Sequence, residues 1–294
     1  MSGSKKAVVL LNFLPPGNVD MPSASLSILK AYLQEHEIQM KIIYWRRLIL
    51  DFISKQIPLE LEKKMGNEVS LLPVLPRLYE LNSGKKEKKQ HLIRVFSSFL
   101  PQHMKSRSER CLQELSSKVN AFVDSKLERL FQQQKVTVFG ISARFYQWVF
   151  GVELIRKAKK LAPGIKTITG GFSRNEAART FLEVEDHIDF CHYGEGEQAL
   201  LQLVREIDSV KADFSRVQNL YYRENNQIVF TGCRKNKNHD FREFLFPDYA
   251  DFFDIHYQLQ IPPHISVQVP LDGTRGCTWN KCRFCVATQE IKYS

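Results

Sequence analysis

Apolar runs of strand length alternate with helical stretches along most of this chain, and that rhythm constrains its fold more than any other feature. The runs are Lys6–Asn12 (KAVVLLN), Met40–Trp45 (MKIIYW), Val136–Ser142 (VTVFGIS), Lys166–Thr169 and Ile188–Tyr193 (IDFCHY). The first of them is apolar throughout its middle and does not alternate in polarity, as expected of a strand covered on both faces. Helical patterns lie between the runs. Ser23 offers an N-cap for a helix carrying Leu26, Leu29 and Leu33 on one face, Gln147–Leu161 is stopped by Pro163-Gly164, Glu176–Leu182 forms a short helix, and another runs to Ile207.

Five strands joined by crossover helices predict an α/β fold, a flavodoxin-like (Rossmann-type) doubly wound, five-stranded parallel sheet. In such sheets ligands sit beyond the carboxyl ends of the strands. The rhythm is interrupted over 49–134, a polar, helix-patterned stretch broken at Pro58, Pro73, Pro76 and Pro101. Its best helix falls near 109–131, with Leu112, Leu115, Val119, Phe122 and Leu130 as one apolar stripe. The reading is a helical insertion within an α/β domain spanning 1–210. A hairpin and linker follow at 211–270, with strands at Asn219–Arg223 and Ile228–Thr231 and a loop-like stretch over 234–270. The segment 271–294 is distinct again.

The chain has 294 residues, 43% hydrophobic and 25% charged, enough apolar mass for a sizeable core. No stretch reaches the roughly 18 apolar residues of a membrane span, and the first apolar run is too short for a secretory signal. The expectation is a cytoplasmic protein without a membrane partner. The net charge of +10 is concentrated in 84–110, which carries eight basic and two acidic residues. Such a patch could attract RNA, an acidic peptide or a phosphate-bearing ligand, but it lacks the interleaved aromatics and glycines of a single-strand-binding surface, so the favoured reading is a solvated helix face without a nucleic-acid partner.

Three of the six cysteines, Cys277, Cys282 and Cys285, fall within nine residues as C-x4-C-x2-C. A disulfide framework would spread them, so the grouping points to a metal or cluster in a reducing compartment. A structural zinc site wants four protein ligands, whereas a 4Fe–4S cluster held by three thiolates leaves one iron open. Gly273-Thr274-Arg275-Gly276 lets the loop fold tightly, and Trp279 and Phe284 screen it from water. Both metals remain open on spacing alone. Cys111, Cys191 and Cys233 read as ordinary packed residues.

Arg275–Cys285, R-G-C-T-W-N-K-C-R-F-C, resembles the cluster loop of radical S-adenosylmethionine enzymes. Many members carry C-x3-C-x2-C; the extra residue here is similar to a variant of cobalamin-dependent members, particularly those that modify ribosomally made peptides. The resemblance extends upstream over most of 5–48 and 135–285. Gly140-Ile141-Ser142-Ala143, Gly170-Gly171 and Gly194-Glu195-Gly196-Glu197 are similar to the G-I-S-A, G-G and G-E-G-E loops of the family's cobalamin-binding domains. It implies that Cys277, Cys282 and Cys285 ligate a 4Fe–4S cluster whose open iron binds S-adenosylmethionine. Phe284 would lie against the adenine, and Ser142, Gly170, Gly171, Gly194, Glu195 and Gly196 would hold cobalamin. The D-x-H-x-x-G motif is absent, since Asp254-Ile255-His256 has no glycine three residues on. This implies cobalt without a protein histidine beneath it and Phe145 or Tyr146 in that place.

The implied activity is reductive cleavage of S-adenosylmethionine to a 5′-deoxyadenosyl radical and methylation of an unactivated carbon from methylcobalamin. A peptide natural-product precursor is the expected substrate. The sequence given stops nine residues after Cys285, whereas the family's barrel needs roughly 200 more. The expectation is the start of a truncated radical domain, inactive alone: either a fragment or one half of a split enzyme whose barrel a second polypeptide completes. Two other classes compete with this reading. A stand-alone corrinoid carrier leaves the cysteines idle. An RNA-modifying radical enzyme suits the pI of 9.3, but the enzymes that thiolate transfer RNA resemble one another in a different, cysteine-bearing first domain.

Overall fold

The protein is described from a computed structural model covering residues 8–62, 64, 66–172, 174–232, 245–259, 266–271, 279 and 281–282. The chain opens with β1 (Val8–Phe13), α1 (Ala24–Glu35), β2 (Gln39–Tyr44) and α2 (Trp45–Gln56). The insertion follows as α3 (Gly66–Val69), α4 (Leu75–Leu81), α5 (Lys86–Ser97) and α6 (Ser108–Gln133). The alternation then resumes as β3 (Val138–Ser142), α7 (Trp148–Leu161), β4 (Lys166–Phe172), α8 (Asn175–Val184), β5 (Phe190–Tyr193) and α9 (Glu197–Asp208). A hairpin, β6 (Leu220–Glu224) and β7 (Gln227–Phe230), and α10 (Ala250–Gln258) complete the described elements.

The strands form one sheet in the order β2-β1-β3-β4-β5-β6-β7. The first five are parallel, and their order is that of a flavodoxin-like sheet with its switch point between β1 and β3. The sheet has seven strands where the sequence predicted five. The hairpin expected at 219–231 is present, and it also pairs antiparallel with β5, Cys191 opposite Tyr221, and so extends the sheet.

Side chains alternate between two apolar layers. Leu10, Ile43, Phe139, Ile141 and Cys191 enter one layer; Val9, Leu11, Ile42, Val138, Ile168 and Phe190 enter the other. The insertion covers the first layer together with α7 and α8. There Leu112, Leu115, Val119, Val123, Leu127 and Leu130 of α6 are buried, and Phe122 stacks on Phe52 at 4.5 Å. Burying each such side chain contributes roughly 1.5–3 kcal/mol, so the insertion is part of the core and not an appendage. The exposed basic side chains of 84–110 lie on the outer surface of α5, of the 3-10 turn Gln102–Arg107 and of the start of α6, and Lys89 rests over the Tyr79 ring.

The second layer is covered by α1, α9 and α10. Ser23 caps α1 as predicted, its Oγ accepting from the Leu26 N–H at 3.3 Å. The loop-like reading of 234–270 fails at Ala250–Gln258, which is helical. Only Phe252 of that helix is buried, so it has no apolar stripe for a sequence reading to find. The helix closes the open edge of the sheet: Asp251 Oδ2 accepts from the Ile42 N–H of β2 at 2.8 Å and pairs with the buried Lys30 at 2.9 Å. No helix among the described residues is long and apolar enough to cross a membrane.

Candidate functional site

The carboxyl ends of the five parallel strands share one edge of the sheet, and three glycine-bearing loops leave it side by side. At the switch point Asn12 ties the first strands together. Its Nδ2 donates to the Gly140 carbonyl at 2.9 Å, and its Oδ1 accepts from Trp45 Nε1 at 2.7 Å. Both bonds are buried, so the spacing of β1, β3 and the start of α2 is fixed here.

The loops after β3 and β4 are knitted to each other. Ser142 is in register with Gly170, the Ala143 N–H donates to the Gly170 carbonyl at 2.8 Å, and Arg144 Nε donates to the Gly171 carbonyl at 3.2 Å. Gly171 has φ +86°, and a Cβ there would lie 3.1 Å from both Ser142 Oγ and Arg144 Cγ. Gly170 differs from it: the nearest atom a Cβ would meet is the His192 carbonyl at 4.0 Å. The pair thus makes a tight turn beside a position with open space on its Cβ side. The β4–β5 register shifts between Thr169 and Phe172, so the strand bulges at these glycines.

Gly194 leaves β5 with φ +87°, and Gly196 precedes α9 pressed against Leu29, which a Cβ would approach to 3.2 Å. Glu195 between them is half-buried. Just after β3, Tyr146 has φ +61° and is 74% exposed, and Trp148 is 41% exposed. A bulky residue in the left-handed region is strained, and such strain gathers at ligand sites. The structure therefore brings Ser142, Gly170 and Gly171 together and sets Gly194, Glu195 and Gly196 at the end of the neighbouring strand. A face of backbone and exposed aromatic surface can receive a large planar ligand.

Sequence reasoning missed Asn12, Arg144 and His192. His192 is buried in β5 with no partner for Nε2, and burial pushes its imidazole down to about 4. It is neutral at pH 7. Burial pushes the Cys191 thiol in the opposite direction, upward, which fits its reading as a packed core residue. His256, set aside as a cobalt ligand, lies on α10 with Nδ1 2.6 Å from Arg47 Nη2.

Of the cysteine loop, Cys282 is described and half-buried; Cys277, Cys285 and Phe284 lie outside the described residues, as does Cys233. The chain leading to that loop is anchored near the loop after β1. The Gln268 N–H donates to the Asp20 carbonyl at 2.9 Å, and Tyr249 Oη donates to the Pro270 carbonyl at 2.5 Å. Among the described residues no three His, Cys, Asp or Glu side chains group as a metal site.

No family model matches the chain, and no curated protein matches it. Solved structures do. The cobalamin-dependent S-adenosylmethionine radical enzyme OxsB, with aqua-cobalamin bound, matches 96% of this chain at 13% identity and a TM-score of 0.54. The radical S-adenosylmethionine methyltransferase TsrM from Kitasatospora setae, with cobalamin and a 4Fe–4S cluster bound, matches 77% at 14% identity and a TM-score of 0.42. The chain spans 28% and 30% of the lengths of those two proteins. The OxsB match establishes a shared fold: the chain is a doubly wound α/β protein whose fold is similar to that of part of OxsB.

Proposed function

We propose that this chain is the cobalamin-binding front of a radical S-adenosylmethionine enzyme. The observation that carries the reading is the bare glycine face at the carboxyl edge. Among the described residues a Cβ at Gly170 would meet nothing nearer than a carbonyl at 4.0 Å, and Gly171 accepts a φ of +86° that lets the β4 loop close on Ser142. The fit is to a flat, bulky group, because a Cβ at either glycine would stand on that face or strain the turn.

In this reading Ser142, Gly170, Gly171, Gly194, Glu195 and Gly196 hold the corrinoid, and Cys277, Cys282 and Cys285 hold a 4Fe–4S cluster. Bound there, cobalamin would supply methyl transfer, and the cluster with S-adenosylmethionine would supply radical chemistry. The protein's own contribution is positional. Asn12 fixes the strand spacing, Arg144 clamps the β4 loop, and the Gln268–Asp20 bond starts the run toward the cysteines beside the same edge. The reading extends to C-methylation of a peptide natural product as the reaction, with a precursor peptide as partner.

The test is co-elution. The full chain, mixed with hydroxocobalamin at micromolar concentration, should carry the pigment through gel filtration. Complete separation of pigment from protein defeats the reading.

A further inference from the structure

The start of α2 buries more positive charge than the described residues around it answer. Arg46 and Arg47 occupy its first turn at 1% and 0% exposure. The helix has no side-chain N-cap bond and no acidic residue in that turn. The positive end of the helix dipole therefore adds to two guanidinium charges. Nε and Nη2 of Arg46, and Nε and Nη1 of Arg47, are buried without a hydrogen-bond partner. Each guanidinium lies over an aromatic ring, Arg46 4.2 Å from the Phe13 centroid and Arg47 4.3 Å from that of Phe252. Burial pushes Arg46 down to about 9 and Arg47 to about 10, so both stay charged at pH 7.

One carboxylate is close enough to matter. Asp20, in the loop between β1 and α1, draws both arginines electrostatically, yet its buried Oδ1 makes no hydrogen bond. Among the described residues that one negative charge leaves the pair a unit short of neutrality. The loop is shaped around the guanidinium, because a Cβ at Gly17 would come within 2.7 Å of Arg46 Nη1. The place is at the carboxyl end of β2, on the ligand edge of the sheet, and the loop over it is held down by the Gln268–Asp20 bond.

We propose that the N-terminus of α2, with Arg46 and Arg47, is a binding site for an oxyanion, a phosphate or a carboxylate. Unpartnered guanidinium forks match such groups geometrically, and a helix N-terminus adds backbone N–H donors. The inference does not depend on the cofactor reading above.

The test titrates the full chain with inorganic phosphate and, separately, with acetate, by calorimetry at constant ionic strength in chloride. Saturable binding of one ion per chain is expected for at least one of them, and the tighter of the two assigns the source as phosphate or carboxylate. Arg46→Met should weaken it by roughly tenfold or more, the loss of a charged hydrogen-bond donor. Arg110→Met, on the exposed face of α6, should leave it unchanged. Asp20→Asn removes the competing carboxylate without removing the donors and should tighten binding, which keeps the test alive if Arg46→Met does not fold. No saturable binding of either ion, equal binding by Arg46→Met, or unchanged or weaker binding by Asp20→Asn overturns the inference.

Discussion

Gly170 and Gly171 are adjacent in sequence and should fail in different ways when each is replaced by alanine. At Gly171 the backbone has φ +86°, and the new methyl would sit 3.1 Å from Ser142 Oγ and Arg144 Cγ. The left-handed region costs an L-residue about 1–2 kcal/mol. The two contacts add to this, because both groups are held by hydrogen bonds of the same turn. A loss of that size lowers Tm by about 2–8 °C in a domain of this class. At Gly170 the backbone is not left-handed, and the methyl meets nothing nearer than a carbonyl at 4.0 Å. Its stability should stay within about 1 kcal/mol of the parent, with any gain coming from the less flexible unfolded chain. Yet the methyl stands on the face where the corrinoid would lie, and forcing a methyl into a packed contact costs about 1–3 kcal/mol, or roughly tenfold or more in affinity. Thermal melts and hydroxocobalamin titrations of both variants make the assay. Gly170→Ala should melt like the parent and bind weakly; Gly171→Ala should melt lower and bind weakly. Parent-like cobalamin affinity in Gly170→Ala would refute the placement of the ligand, and an unchanged Tm in Gly171→Ala would refute the strain argument.

Other outcomes follow from the same structure. Because burial holds His192 at about 4, below its unfolded value of about 6.5, the unfolded chain binds the extra proton first. Stability is therefore full above pH 6.5 and falls by about 3 kcal/mol as pH drops to 4; urea melts of the parent and His192→Leu should diverge across that window, and parallel curves would contradict it. Replacing Cys277, Cys282 and Cys285 together by alanine should abolish iron uptake in anaerobic reconstitution, read by iron and sulfide analysis, while cobalamin still co-elutes. Loss of both would mean that the two sites are not separate. Lys30→Met leaves Asp248 and Asp251, which the lysine meets at 3.0 and 2.9 Å, without their buried cation. It should cost about 3 kcal/mol in urea melts and expose the 245–259 segment to protease, and an unchanged digest would show that α10 is held by other contacts.

The parallel strands were legible because a strand covered on both faces must be apolar along most of its length, and VVLL at the centre of β1 can do little else in a chain of this composition. What the hairpin pairs with was not legible, since Leu220–Glu224 carries no mark of its partner β5. The glycine loops could be found as a set but not told apart. Only the backbone shows that Gly171 is left-handed and Gly170 is bare. Arg46 and Arg47 gave no signal at all, because arginine defaults to the surface and its burial is set by Phe13 and Phe252, far away in sequence. Asn12 was hidden inside an apolar strand, where its amide serves the switch point and not the pattern.

A crystal structure of the full chain grown with hydroxocobalamin tests the central claim most directly. The account predicts the corrin ring in van der Waals contact with Gly170 and Gly171, beside the Ser142 hydroxyl and over the carboxyl ends of β3 and β4. A ring bound on any other surface, or crystals that exclude the pigment at saturating concentration, would contradict it.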